Sequence, residues 1–160
     1  MVSVKKFNLK RILITIITVI FVFCAVSLTA TKIIYDQIFR RYDQQPEIPT
    51  ALQEMVESRQ VCQFYSGENQ LTGYYYSPKA PSDNSGLIIY VPGFSAGADD
   101  YLWQFQELTA LGWGIFTFDT TGTLRSEGKN QVGFSQSVLD LESAIKYVSI
   151  PLVLTVGAQV

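Results

Sequence analysis

The sequence predicts an α/β fold behind a single N-terminal membrane helix, and three observations lead there. Residues 12–31 form one uncharged, apolar stretch between basic residues. Short apolar runs recur at 87–91, 114–118 and 152–156, each leading toward a glycine-containing turn. Between these runs, apolar residues repeat at helical spacing. Continuous apolar runs are what strands covered on both faces look like. The order strand-helix-strand-helix-strand implies right-handed βαβ crossovers and a parallel sheet.

The chain has 160 residues and a formal charge of -2, with no long basic block, so it carries no nucleic-acid footprint. As a helix, 12–31 would cover about 30 Å, the thickness of a bilayer core. It is longer than the ~7–15 apolar residues of a secretory signal, and small-residue cleavage options at its C-terminal end, such as Ala25-Val26-Ser27, are poor. An uncleaved single-pass anchor is expected, with a cleaved signal peptide as the alternative. Lys5, Lys6, Lys10 and Arg11 crowd one flank, whereas Lys32, Arg40 and Arg41 on the other mix with Asp36, Asp43 and Glu47. That asymmetry places residues 1–11 in the cytoplasm and the remainder outside the cell membrane. The bilayer is thus the first expected partner.

Residues 32–60 read as a juxtamembrane linker and a short helix. Thr50 is the expected N-cap, with Gln53 as its capping-box partner and an end near Ser58. A β-hairpin follows, 61–65 and 71–76 around a polar turn, and a surface loop leads to the strand at 87–91. Asp99 or Asp100 is expected to cap the next helix, whose inner face would be Tyr101, Phe105, Leu108 and Leu111, stopped by Gly112. After the strand at 114–118, a helix over 136–148 would bury Val138, Leu141, Ile145 and Val148. The last strand is 152–156.

The side-chain inventory excludes several chemistries. Cys24 falls in the apolar stretch and Cys62 in a strand, so no disulfide is expected. There is no histidine and no C-x-x-C, so neither a metal site nor a cofactor is predicted. Glu54 and Glu57 read as a solvated helix face.

Pro92-Gly93-Phe94-Ser95-Ala96-Gly97 follows the first apolar run, and Asp119-Thr120-Thr121-Gly122, with Ser126-Glu127-Gly128 behind it, follows the second. In this order, these motifs make residues 61–156 resemble the α/β-hydrolase family, in its serine-peptidase-like and lipase-like branch. The resemblance implies a sheet order 1-2-4-3-5 and hydrolysis of an ester, amide or thioester through an acyl-serine. Gly93-Phe94-Ser95-Ala96-Gly97 also satisfies G-x-S-x-G, the nucleophile elbow. In the family, however, the elbow follows a later strand and this earlier turn is the oxyanion loop, usually His-Gly-aromatic. The resemblance therefore implies that the backbone N–H of Phe94 serves the oxyanion and that Gly93 permits the turn. A glycine turn without a catalytic role is the plainer alternative.

The family's elbow would follow 152–156, where Gly157-Ala158-Gln159-Val160 offers Gln at the serine position. Asp119 precedes the place of the triad acid and is expected to shape its turn. Asp140 is expected to be a solvated or loop-pairing carboxylate, and no catalytic residue is assigned.

Residues 61–160 are accordingly expected to be a truncated α/β-hydrolase domain on a membrane anchor, inactive alone. A non-catalytic, membrane-tethered interaction module is the alternative, binding a partner along the exposed edge of 152–156. A Ser95 enzyme using Lys129 or Lys146 as base is a third reading.

Overall fold

A computed structural model describes residues 8–79 and 86–149 of the chain. They divide into two compact units, one ending at Ile38 and one beginning at Phe39.

The first unit is a single helix, α1 (Leu9–Ile38), with none of its residues buried. No Pro or Gly interrupts it, and Thr15, Thr18 and Thr29 return their hydroxyls to the carbonyls four residues earlier at 2.8–2.9 Å. The three hydroxyls are thereby satisfied within the helix. It is longer than the apolar stretch alone, taking in Lys10 and Arg11 at one end and the Lys32–Asp36 pair at the other. It is long and apolar enough to cross a membrane.

The second unit is built on α2 (Thr50–Ser58), β1 (Gln60–Ser66), β2 (Asn69–Tyr76), β3 (Gly86–Tyr90), α3 (Leu102–Ala110), β4 (Trp113–Phe118) and α4 (Phe134–Val148). Among the described residues the sheet order is β1-β2-β4-β3, as the sequence predicted for those strands. β1 and β2 are antiparallel, as are β2 and β4, while β3 and β4 are parallel. The sheet is therefore mixed. The fifth expected strand, 152–156, lies outside the described residues.

β1 and β2 close on Gly67 and Glu68, with Ser66 paired to Asn69 and Gly67 at φ 60°. A positive φ at that position lets the turn follow the twist of the strands, and glycine adopts it without strain. One face of the sheet packs Tyr74, Tyr76 and Ile115 against Leu52 of α2 and Leu102 and Phe105 of α3. The other packs Phe64, Leu71, Phe116 and Phe118 against Ala144 and Val148 of α4.

Several local expectations are corrected. Thr50 is the first residue of α2 rather than its cap; Pro49 holds the cap position with no side-chain bond, so the Thr50–Gln53 capping box does not form. A 3-10 turn, Ala98–Tyr101, precedes α3, and there Asp100 accepts the Gly97 N–H at 2.7 Å while Asp99 turns inward. Leu111 is 68% exposed, because the helix ends one residue before it; Leu102, Phe105 and Thr109 form the buried face. In α4, Val138 and Ile145 lie outward, and the buried positions are Asp140, Ala144 and Val148.

The stretch read as a linker is also part of this unit from Phe39 onward. Tyr42 pairs with the 120s loop through its N–H to Gly122 O and its carbonyl to Leu124 N, at 3.0 and 2.7 Å. Arg41 donates to the carbonyls of Leu124, Ser126 (2.8 Å) and Gly128 (2.9 Å).

Candidate functional site

A cavity of about 500 Å³ opens beside the C-terminal end of β3. Its wall includes Val91, Pro92, Gly93 and Phe94 from the turn after β3, Thr120 and Thr121 from the turn after β4, and residues 131–134, 136, 137 and 140 leading into and along α4. Phe39 completes it, its ring edge-on to Phe94 with centroids 5.5 Å apart.

The turn after β3 is shaped by three hydrogen bonds. Ala96 N–H closes it on the Gly93 carbonyl at 3.2 Å. Gly93 N–H donates to the Tyr101 hydroxyl at 3.0 Å. Ser95 N–H donates to the Gln131 carbonyl oxygen at 2.9 Å. Among the described residues the Phe94 N–H has no protein acceptor. Of the two residues the sequence singled out, both line the cavity, but only Phe94 retains a free backbone donor.

Gly93 does not supply the unusual backbone angle. Ser95 does, at φ 54°. That conformation costs a non-glycine residue on the order of 1 kcal/mol or more, and Gln131 helps to hold it. Gly93 is needed for proximity instead, since a Cβ there would stand 3.1 Å from the Tyr101 hydroxyl.

Ser95 therefore has the backbone strain of an elbow serine without its position or its chemistry. Its Oγ lies 3.3 Å from Gln131 Nε2, an amide that cannot take up a proton near neutral pH. Lys146 is engaged with Glu142 at 2.7 Å on the outer side of α4.

The carboxylates nearby are structural. Asp140, expected to be solvated, is completely buried. Its Oδ1 accepts Ser66 Oγ (2.6 Å), Thr121 Oγ1 (2.9 Å) and Gln136 Nε2 (2.9 Å), and its Oδ2 accepts Thr121 N–H (2.8 Å). The alternative half of the expectation, pairing with a loop, is what the structure shows. Asp119 accepts the Ala98 N–H at 3.2 Å, the Tyr74 hydroxyl at 2.8 Å and the Arg125 N–H at 3.4 Å. Burial pushes its pKa up, against the pull of those donors. Tyr74 is raised too, by burial first and then by the Asp119 charge.

Behind Asp119, Asp99 is buried between Arg59 and Arg125, and the Arg59 guanidinium lies 4.2 Å from the centre of the Tyr74 ring. Among the described residues no cluster of His, Cys, Asp or Glu could hold a metal ion. Gln131 and Arg41 carry no signal in the sequence, being single polar residues in polar stretches.

No protein-family profile and no curated protein matches this chain. Solved structures do. An α/β hydrolase from Vibrio vulnificus superposes with a TM-score of 0.58 at 16% identity, over 76% of this chain and 43% of that one. The Pyrococcus furiosus esterase Pf2001 superposes with a TM-score of 0.52 at 15% identity, over 71% of this chain and 42% of the esterase. The fold is α/β-hydrolase-like. At such identity the likeness concerns the fold alone, and the chain spans about two fifths of the length of these hydrolases. Within an α/β-hydrolase-like fold, the turn at 92–97 follows the third strand.

Proposed function

We propose that this chain is the oxyanion-bearing part of a membrane-anchored hydrolase acting on an ester, amide or thioester. The observation that carries the proposal is Phe94, a wall residue of the cavity whose N–H has no protein acceptor among the described residues. A donor of this kind, fixed by its neighbours, is what stabilises the oxyanion of an acyl-transfer transition state. Gly93 holds the turn closed on Tyr101, and Gln131 holds Ser95. α1 would be the anchor.

The 160 residues contain no histidine. By itself the chain is therefore expected to turn over no ester, the nucleophile, acid and base having to come from elsewhere. A carboxylate product still tests the oxyanion donor. In the ¹⁵N-labelled chain in micelles, titration with butyrate should shift the Phe94 amide more than its neighbours, leaving Ser95 nearly still. An unmoved Phe94 resonance would remove the proposal.

The absence of histidine also favours the second reading, a tethered interaction module without catalysis, which would dock a partner along 152–156. It predicts no butyrate response. Labelling of Ser95 by a fluorophosphonate would overturn both in favour of a Ser95 nucleophile.

A further inference from the structure

We propose that the cavity takes an acyl chain directly from the membrane leaflet in which α1 is anchored, so that the substrate class is a membrane-resident acyl ester. The proposal rests on the hydrolase reading above and on α1 spanning the bilayer.

The first reason is connectivity. α1 ends at Ile38, and the next residue, Phe39, is already a wall residue of the cavity and accepts the Gln131 N–H at 2.8 Å. No linker intervenes. A 30-residue helix is about 45 Å long, close to the full bilayer with its headgroups. With α1 in the bilayer, Phe39 is joined to the membrane-spanning helix by a single peptide bond.

The second reason is the wall itself. Phe39, Val91, Pro92, Phe94, Val132 and Phe134 make it largely apolar. Phe134 is 86% exposed, Phe94 55% and Val132 43%. In water such a rim is an adhesive patch, whereas aromatic and aliphatic residues at an interface insert among acyl chains. The exposed cations Arg40 and Lys129 lie near this wall: Arg40 follows Phe39 in sequence and forms an isolated β-bridge with Asn130, the residue after Lys129. They suit the phosphates of anionic lipids.

The third reason is energetic. A chain passing from leaflet to cavity exchanges one apolar setting for another. The same chain arriving through water would first give up its burial in the leaflet, CH₂ by CH₂. Phe94 is itself a wall residue, so an acyl chain seated there would bring its ester carbonyl near the proposed donor, the Phe94 N–H.

The test uses the full chain in vesicles of phosphatidylcholine and phosphatidylglycerol containing a trace of phosphatidylcholine with a diazirine on one acyl chain. After illumination, adducts are mapped by mass spectrometry. Peptides covering 91–94 and 131–137 should be labelled at least several-fold more than α3 and the residue after it, where Trp103 and Leu111 are as exposed as the rim. Phe134→Asp should cut the labelling of 91–94 several-fold with unchanged circular dichroism, because a carboxylate in the first turn of α4 suits the helix. Equal labelling of α3, or adducts on Phe134 alone with none at 91–94, would overturn uptake into the cavity. So would cavity labelling by a water-soluble diazirine hexanoate but not by the lipid. The butyrate titration separates the two readings. A Phe94 shift without lipid adducts leaves a hydrolase site supplied from water, and adducts without a shift leave a lipid pocket without an oxyanion donor.

Discussion

Asp140 concentrates the largest stakes in one residue. It is a buried carboxylate whose oxygens receive four donors, so both oxygens must be acceptors. Asp140→Asn would turn one of them into an NH₂ group facing donors. Leaving buried donors unmatched costs about 1–3 kcal/mol, so the unfolding free energy of the full chain in micelles should fall by that amount and its midpoint with it. An unchanged midpoint would show that the donors find other partners. Tyr147 offers a pH-dependent counterpart. Burial and then its hydrogen bond with Cys62 push its pKa from 10.0 to about 12. The folded state thus holds the proton more tightly than the unfolded chain does. Its contribution is complete below about pH 10 and is lost as pH rises toward 12. Measured against Tyr147→Phe, the native chain should therefore lose stability across that window and match it in trend below. A constant difference from pH 8 to 12 would remove the assignment.

At the scale of elements, Arg41 shows why a linker in sequence is a wall in the structure. Its guanidinium caps three carbonyls of the loop that carries Ser126 and Gly128. Arg41→Ala leaves those carbonyls to water and should weaken the loop by about 2 kcal/mol, the scale of bonds from a charged donor. Trypsin should then cut after the exposed Arg125 faster than in the native chain, and equal rates would show that the Tyr42 pairing alone holds the loop. The strands and helices of the described residues were legible, because apolar runs and helical spacings follow from burial. Helix faces were less so: Leu111 has the right spacing but lies past the helix end, and Asp140 occupies a buried position that periodicity assigns to an apolar residue. The turn after β3 was legible from glycine and an aromatic after a strand. Its supports were not, since Gln131, Tyr101 and Phe39 reach it across 8 to 55 residues of sequence and nothing local marks them.

For the whole molecule, the decisive property is whether α1 stays attached and on which side the second unit lies. An uncharged run of twenty residues at 12–31, with basic residues before it, favours a retained span with the N-terminus inside. The intrahelical bonds of Thr15, Thr18 and Thr29 remove the polar groups that hydrocarbon would otherwise penalise. Expressed in bacterial cells with its own N-terminus, the chain should remain in the membrane pellet after alkaline carbonate extraction and keep the mass of all 160 residues. A cleaved signal peptide would instead release a shorter, extractable product. Sidedness needs a reporter, because Cys62 is half-buried and its thiol is pushed up by burial, which slows its labelling. Glu68 sits exposed in the two-residue turn between β1 and β2. Glu68→Cys in a chain with Cys24→Ser and Cys62→Ser should react with a membrane-impermeant maleimide in intact cells. Reaction only after lysis would place the cavity on the cytoplasmic leaflet, with the opposite set of lipids within its reach.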